Sequence, residues 1–109
     1  MSIPFPCEFS NVTVSTKASV YFDGKVVSHA FTLADGSRKS LGVIFPGTYT
    51  FNTAAPERME IVAGSCRVRI ADASDWQMVD AGSFFDIPKD SSFEISVEEG
   101  TVEYICSYN

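Results

Sequence analysis

The residues of this chain that could do chemistry are carboxylates, cations and aromatic rings, with almost no imidazole. Glu57 follows Pro56 at the start of an apolar-alternating segment. Asp86 sits between Phe85 and Ile87, where alternation alone leaves it facing either a cavity or solvent. Lys25, Arg38, Lys39, Arg58, Arg67, Arg69 and Lys89 are cations of the kind that hold an anion through charge-assisted hydrogen bonds. Arg38 follows the turn dipeptide Asp35-Gly36, which reads either as the mouth of a site or as a solvated loop. Arg67 and Arg69 alternate with Cys66, Val68 and Ile70, so they read as outer-face charges, with a bidentate anion site as the alternative. Tyr49, Phe51, Phe93 and Tyr104 lie on strand faces able to line a barrel, and Thr53 shares the face of Tyr49 and Phe51. Such rings are either plain core or a stacking surface.

Other chemistries are excluded or disfavoured. The chain holds one histidine, His29, and three cysteines, Cys7, Cys66 and Cys106, with no CxxC pair, so a zinc site is not expected. A catalytic thiol would need His29 as its partner, and free reduced cysteines are the plainer reading. His29 alternates with Val27, Phe31 and Leu33 and is expected to be a hydrogen-bonded core histidine. A net charge of −6 argues against non-specific nucleic-acid binding, which needs a dense basic surface. No apolar run approaches the roughly 20 residues that span a bilayer, and "MSIPFPCEFSN" lacks the pattern of a secretion signal, so a cytoplasmic location is expected.

The elements that must position these groups are strands. Residues 1–18 read as an N-terminal arm, with a strand around "NVTVST", and residues 19–109 as a single domain. Short segments of period two recur between turn signals such as Asp23-Gly24, Pro46-Gly47 and Gly64. "FEISVEEGTVEYICSY" reads as a hairpin with Phe93, Ile95 and Val97 on one side, then Val102, Tyr104, Cys106 and Tyr108. Apolar residues nowhere recur at helical spacing over three turns. The pattern predicts an all-β fold, a sandwich or barrel.

Two spacings narrow this to a cupin-like single-domain β-barrel, a jelly roll. "GSFFDIPKDSSF" resembles the second cupin motif, with Gly82 and Pro88 in place, Asp90 where a glycine is usual and Phe93 where a metal-binding histidine is usual. Glu57 and Gly64 match the end of the first motif, whose paired histidines would fall near Thr50, Phe51, Asn52 and Thr53. No imidazole stands at any of these positions, so metal-dependent dioxygenase or isomerase chemistry is disfavoured.

A closer resemblance follows from "YFDGKVVS", "GTYTFNTAAPERMEIVAG", "DASDWQMVDAGSFFDIP" and "SFEISV…EYICSY". Together these are similar to the pyrimidine/purine nucleoside phosphorylase family, small single-domain bacterial cupins, from about Tyr21 to Tyr108. The resemblance implies that inorganic phosphate attacks C1′ of purine and pyrimidine nucleosides to give free base and ribose 1-phosphate. It implies a pentosyltransferase with no metal and no cofactor, phosphate being a co-substrate. Under it, Arg38, with Lys25 as an alternative, is expected to bind phosphate. Glu57, at a position that points inward in cupins, and Asp86 are the candidate catalytic carboxylates. Tyr49, Phe51, Thr53, Phe93 and Tyr104 are expected to contact base or sugar, Phe51 and Phe93 foremost because they fall at or beside former ligand positions. A homodimer is expected, since small cupins commonly pair sheet against sheet. The competing readings are a metal-free cupin that senses a sugar or nucleoside without turning it over, and a purely structural dimerisation domain.

Overall fold

The computed structural model describes residues 4–108. Alternation of apolar and polar residues becomes eleven strands: β1 (Thr13–Val14), β2 (Ser19–Tyr21), β3 (Val26–Thr32), β4 (Arg38–Ile44), β5 (Gly47–Asn52), β6 (Glu57–Ala63), β7 (Ser65–Ile70), β8 (Gln77–Asp80), β9 (Phe84–Ile87), β10 (Ser92–Val97) and β11 (Val102–Tyr108). They form two sheets, one ordered β1-β3-β4-β11-β6-β9 with β2 also on β3, the other ordered β5-β10-β7-β8. Every pairing is antiparallel. The two sheets pack face to face as a jelly-roll barrel, the expected all-β fold. No helix among the described residues is long and apolar enough to cross a membrane.

The turns follow local chemistry. Asp90, where the cupin motif usually has glycine, adopts φ +53°, a left-handed conformation that aspartate tolerates better than most residues. The chain passes from the large sheet to the small one at Phe45–Gly47. There the Tyr49 hydroxyl lies 2.8 Å from the carbonyl oxygens of both Phe45 and Pro46 and donates to them, so Tyr49 braces this corner.

Between the sheets lies one core. Val26, Ile44, Ile61, Val68, Ile87, Ile95 and Val102 are at most 1% exposed. The inner face of the large sheet changes character along its strands because the register lines residues up in rows. One row is Val26, Ile44 and Val102. The next is Ser28, Gly42, Tyr104 and Ile61, then Ala30, Ser40, Cys106, Met59 and Phe85, and last Thr32, Arg38, Tyr108, Glu57 and Ile87. The floor of the barrel therefore grades from wholly apolar to hydroxyl-, thiol- and charge-bearing.

The outer face corrects the expectation for His29. Val27, His29 and Phe31 do share a face, but it is the outside of the large sheet, and Val26 and Ser28 point inward. His29 is exposed, and its Nδ1 lies 3.1 Å from the Ser15 carbonyl oxygen. The face is apolar because residues before β2 lie across it, with Phe9 and Phe31 ring centroids 5.0 Å apart. Arg67 and Arg69 are outer-face charges, paired with Glu98 at 2.7 Å and with Glu94 through Nε at 3.0 Å. Cys7, Cys66 and Cys106 are free thiols, the latter two buried.

Gly42 is required by packing. It faces Tyr104 across the β4–β11 pair, and a Cβ there would fall well inside contact distance of the Tyr104 ring. Gly42→Ala is expected to lower stability by about 1–3 kcal/mol, seen as a lower melting temperature. A second substitution, Tyr104→Leu, should return part of that loss. An unchanged melting temperature in the single variant would refute the close approach.

Candidate functional site

A cavity of about 450 Å³ opens between the sheets at the polar end of the large sheet's inner face. Strand alternation builds its floor: Tyr104, Cys106 and Tyr108 are every second residue of β11, and Glu57 and Met59 are every second residue of β6. The opposite wall is aromatic. Phe51 of β5 and Phe93 of β10 are cross-strand partners with rings stacked at 5.4 Å and an interplanar angle of 23°. Phe85 supports the stack from below, its ring 5.6 Å from that of Phe93. Tyr21, the last residue of β2, and Phe22, which follows it, close the side next to β5.

Glu57 is the one carboxylate in this lining. Burial raises its pKa above that of an ordinary glutamate, and a hydrogen bond donated by the Cys106 thiol, 3.5 Å from Oε1, pulls partly the other way. Burial pushes the Cys106 thiol up to about 12, with the Glu57 charge adding to the effect. The Tyr108 phenol is also pushed to about 12, chiefly by burial, and its hydroxyl shares a 3.0 Å hydrogen bond with Ser40. Burial raises Tyr104 still further. At neutral pH the thiol and both phenols are therefore protonated, so the floor offers neutral donors around a single acid.

Arg38 lies in the same row as Tyr108 and Glu57, at the rim. It shares the face of Ser40, Gly42 and Ile44, which are buried, while Arg38 itself is exposed. Two strand spacings separate it from Glu57, roughly 10 Å between backbones. It has no ion pair among the described residues, whereas Arg58, Arg67 and Arg69 are all paired. Lys39 is on the other face and donates to the Ser107 hydroxyl at 2.6 Å.

The structure thus brings Glu57, Phe51, Phe93 and Tyr104 together around one cavity and sets Arg38 at its edge. Other expected site residues lie elsewhere. Asp86 is on the outer face of β9, since Phe85 and Ile87 take the inner face, and the Arg58 guanidinium forks its carboxylate at 2.8 and 3.1 Å. Thr53 directly follows β5 and spends its hydroxyl on the loop before β10, donating to the Pro88 carbonyl at 2.7 Å and accepting from Ser91 N–H at 3.0 Å. Tyr49 is buried beneath Phe22, ring centroids 4.9 Å apart, and is outside the cavity lining. Lys25 follows the Phe22–Gly24 turn, also outside the lining. Sequence reasoning passed over Tyr21, Phe22, Ser28, Cys106 and Tyr108. For Tyr108 and Cys106 the signal was present, since they alternate with Tyr104.

The donor set does not fit a transition metal. Glu57 and Cys106 are the only potential ligands of His, Cys, Asp or Glu type in the lining, and the described residues contain no group of three such side chains placed to hold an ion. A larger groove of about 650 Å³ lies on the outside of the large sheet, among His29, Leu41 and the residues before β2. It is apolar and holds neither the platform nor Glu57, so the smaller inner cavity is the candidate site.

Comparison with known proteins agrees with this barrel. Bacillus subtilis oxalate decarboxylase superposes with a TM-score of 0.71 at 15% identity, covering 96% of this chain and 30% of that one, which speaks to the fold alone. A protein of unknown function from Acinetobacter sp. ADP1 superposes with a TM-score of 0.91 at 43% identity, covering 94% of this chain and 98% of that one. The pyrimidine/purine nucleoside phosphorylase of Cupriavidus metallidurans is 57% identical over 93% of this chain and 97% of its own length. That of Thiobacillus denitrificans is 53% identical over 92% and 96% respectively. The family model for pyrimidine/purine nucleoside phosphorylase matches residues 16–108. With nearly the whole barrel covered by that match, the chain belongs to the pyrimidine/purine nucleoside phosphorylase family.

Proposed function

We propose that this protein is a metal-independent nucleoside phosphorylase, a pentosyltransferase acting on purine and pyrimidine nucleosides. One observation carries the reading: Arg38, Tyr108 and Glu57 form a single row across three adjacent strands, facing the Phe51–Phe93 stack on the other sheet. An anion, a ribose and a base need those three environments, in that order. The base stacks on the aromatic wall. The ribose lies over the floor, its hydroxyls bonded to Glu57 and the phenols of Tyr104 and Tyr108. Phosphate sits at the rim with Arg38.

The reaction balances within these three components. A hydrogenphosphate oxygen forms a bond to C1′ as the C1′–N bond breaks, and the electron pair of that bond leaves with the base nitrogen. The proton carried by hydrogenphosphate ends on the released base. As the glycosidic bond stretches, positive charge develops on the sugar. An ionised Glu57 a few ångströms away, in a partly desolvated site, stabilises that charge more than it stabilises the neutral nucleoside.

Three outcomes test the reading through release of free base from uridine, adenosine or guanosine. First, release requires phosphate and persists after dialysis against a strong chelator. Activity lost on chelation and restored by a transition metal would sink the metal-free assignment, and saturable binding without release would make the protein a binding module.

Second, folded Arg38→Ala should raise the KM for phosphate about 10- to 150-fold, the worth of a lost charge-assisted hydrogen bond, with little change in the nucleoside KM. If the phosphate KM holds, the anion site lies elsewhere, with Lys25 the next choice.

Third, Glu57→Gln should lower kcat on the order of 100-fold. Since Glu57 must be ionised, kcat in the native protein falls as pH drops through its pKa. Burial raises that pKa, so the limb lies above the usual glutamate value of about 4.3, and it should vanish in the Gln variant. Stability runs the other way. A carboxyl whose folded pKa is raised contributes stability below its unfolded pKa and loses it as pH rises through the folded one. Glu57→Gln should therefore melt no lower than the native protein at neutral pH. A full kcat in this variant would remove the carboxylate from the mechanism.

A further inference from the structure

The turn between β2 and β3 has a backbone that its sequence does not require. Asp23 and Gly24 have φ of +56° and +88° and form the tight Asp-Gly bend expected of a hairpin, closed by Lys25 N–H on the Phe22 carbonyl at 3.2 Å. Such a bend needs positive φ at those two residues only. Phe22, just before it, also has φ +52°, a conformation bulky side chains rarely adopt.

The consequence is visible in the rings. Tyr21 is extended, with φ −124° and ψ 157°. Consecutive extended residues point to opposite faces, so an extended Phe22 would turn away from the ring that Tyr21 approaches. Instead both reach Phe51, Tyr21 edge-on at 6.2 Å and Phe22 edge-on at 5.5 Å. The left-handed backbone thus places two adjacent aromatic rings on one side, spanning from the large sheet to β5 of the small one. Phe22 remains 44% exposed and Tyr21 45%, so neither is held there by full burial. Backbone strain of this kind persists where the surrounding structure enforces it, and it concentrates at ligand-binding sites.

We infer that Phe22 is the specificity-determining residue for the base, resting on the phosphorolytic reading of the cavity. Within the stack, Phe93 is buried and Phe51 is its more exposed end. Phe22 stands perpendicular to Phe51, with an interplanar angle of 87°, as a wall at that end of the platform. A base stacked along the platform meets this wall. A single-ring pyrimidine fits short of it, and a two-ring purine presses against it, so the position of Phe22 sets the preference between the two classes.

The test compares the native protein with Phe22→Ala and Phe22→Gly. Base release from uridine and guanosine with phosphate, equilibrium binding of the same nucleosides, and melting temperature are measured for each. Both variants should raise the guanosine-to-uridine ratio of kcat/KM about 10- to 200-fold, the range over which an apolar pocket discriminates by size. Phe22→Gly should melt above Phe22→Ala, because glycine adopts a left-handed backbone without strain. If the Ala variant does not fold, the Gly variant carries the comparison. An unchanged ratio in a folded, active variant overturns the inference. If the native protein binds both nucleosides but releases no base, the phosphorolytic reading fails, and the ratio of dissociation constants judges Phe22 by the same standard. Neither release nor binding overturns both.

Discussion

The register of β11 between β4 and β6 is the constraint on which the site depends. Side chains alternate faces with a period of two, so a slip of one residue would carry Tyr104, Cys106 and Tyr108 to the outside and bring Glu103, Ile105 and Ser107 in. The register is held from both sides. On β4, the glycine opposite Tyr104 leaves room for its ring, and no other residue in β4 offers that space. On β6 the pairing shifts between Glu103 and Tyr104, a local irregularity of the kind that re-aims side chains along a strand. Only with this register fixed does Tyr108 lie between Arg38 and Glu57.

Charge is distributed so that the cavity contains little of it. The outer faces carry the ion pairs Arg58–Asp86, Arg67–Glu98 and Arg69–Glu94, and two of these arginines also lie over aromatic rings, Arg58 on Phe84 and Arg69 on Trp76. These exposed pairs contribute little to stability individually. Their effect on the site is indirect: cations already engaged outside leave Arg38, at the rim, as the one free arginine among the described residues. Inside, the donors are neutral and the single acid is half desolvated. A lone charge in such a setting interacts more strongly with a developing opposite charge than it would in water.

The strands and their inward faces were legible in the sequence wherever one face was apolar and the other polar. The alternation of Cys66, Val68 and Ile70 with two arginines, and of Tyr104, Cys106 and Tyr108 with Glu103 and Ser107, could be read directly. Legibility failed where both faces carry apolar residues or neither decides. The face of His29 looked like core because the residues before β2 cover the outside of β3, so apolar character there does not mean the barrel interior. Asp86 lay between two apolar neighbours with no longer run to set parity, and only the pairing of β9 with β6 turns it outward. Thr53 and Tyr49 shared a face with Phe51 as expected, yet their hydroxyls are used by a turn and a corner, which depends on where distant backbone carbonyls fall. Tyr21 and Phe22 were missed because a left-handed phenylalanine is not written in residue type or spacing.

Placing Phe51 and Phe93 at or beside the positions where cupins usually carry metal-binding histidines changes more than the ligand set. Imidazoles around a metal would surround a nearby glutamate with positive charge and keep its pKa low. Two stacked phenyl rings supply no charge and remove water from the same space, so the carboxylate opposite loses solvation without gaining a counter-ion. Burial is the leading cause of the raised Glu57 pKa, and the only opposing contribution is a weak thiol hydrogen bond from Cys106. One pair of aromatic residues therefore provides a flat apolar surface across the cavity from a carboxylate that is short of partners. The absence of imidazole at these positions and the partner-poor setting of Glu57 meet in one cavity lining.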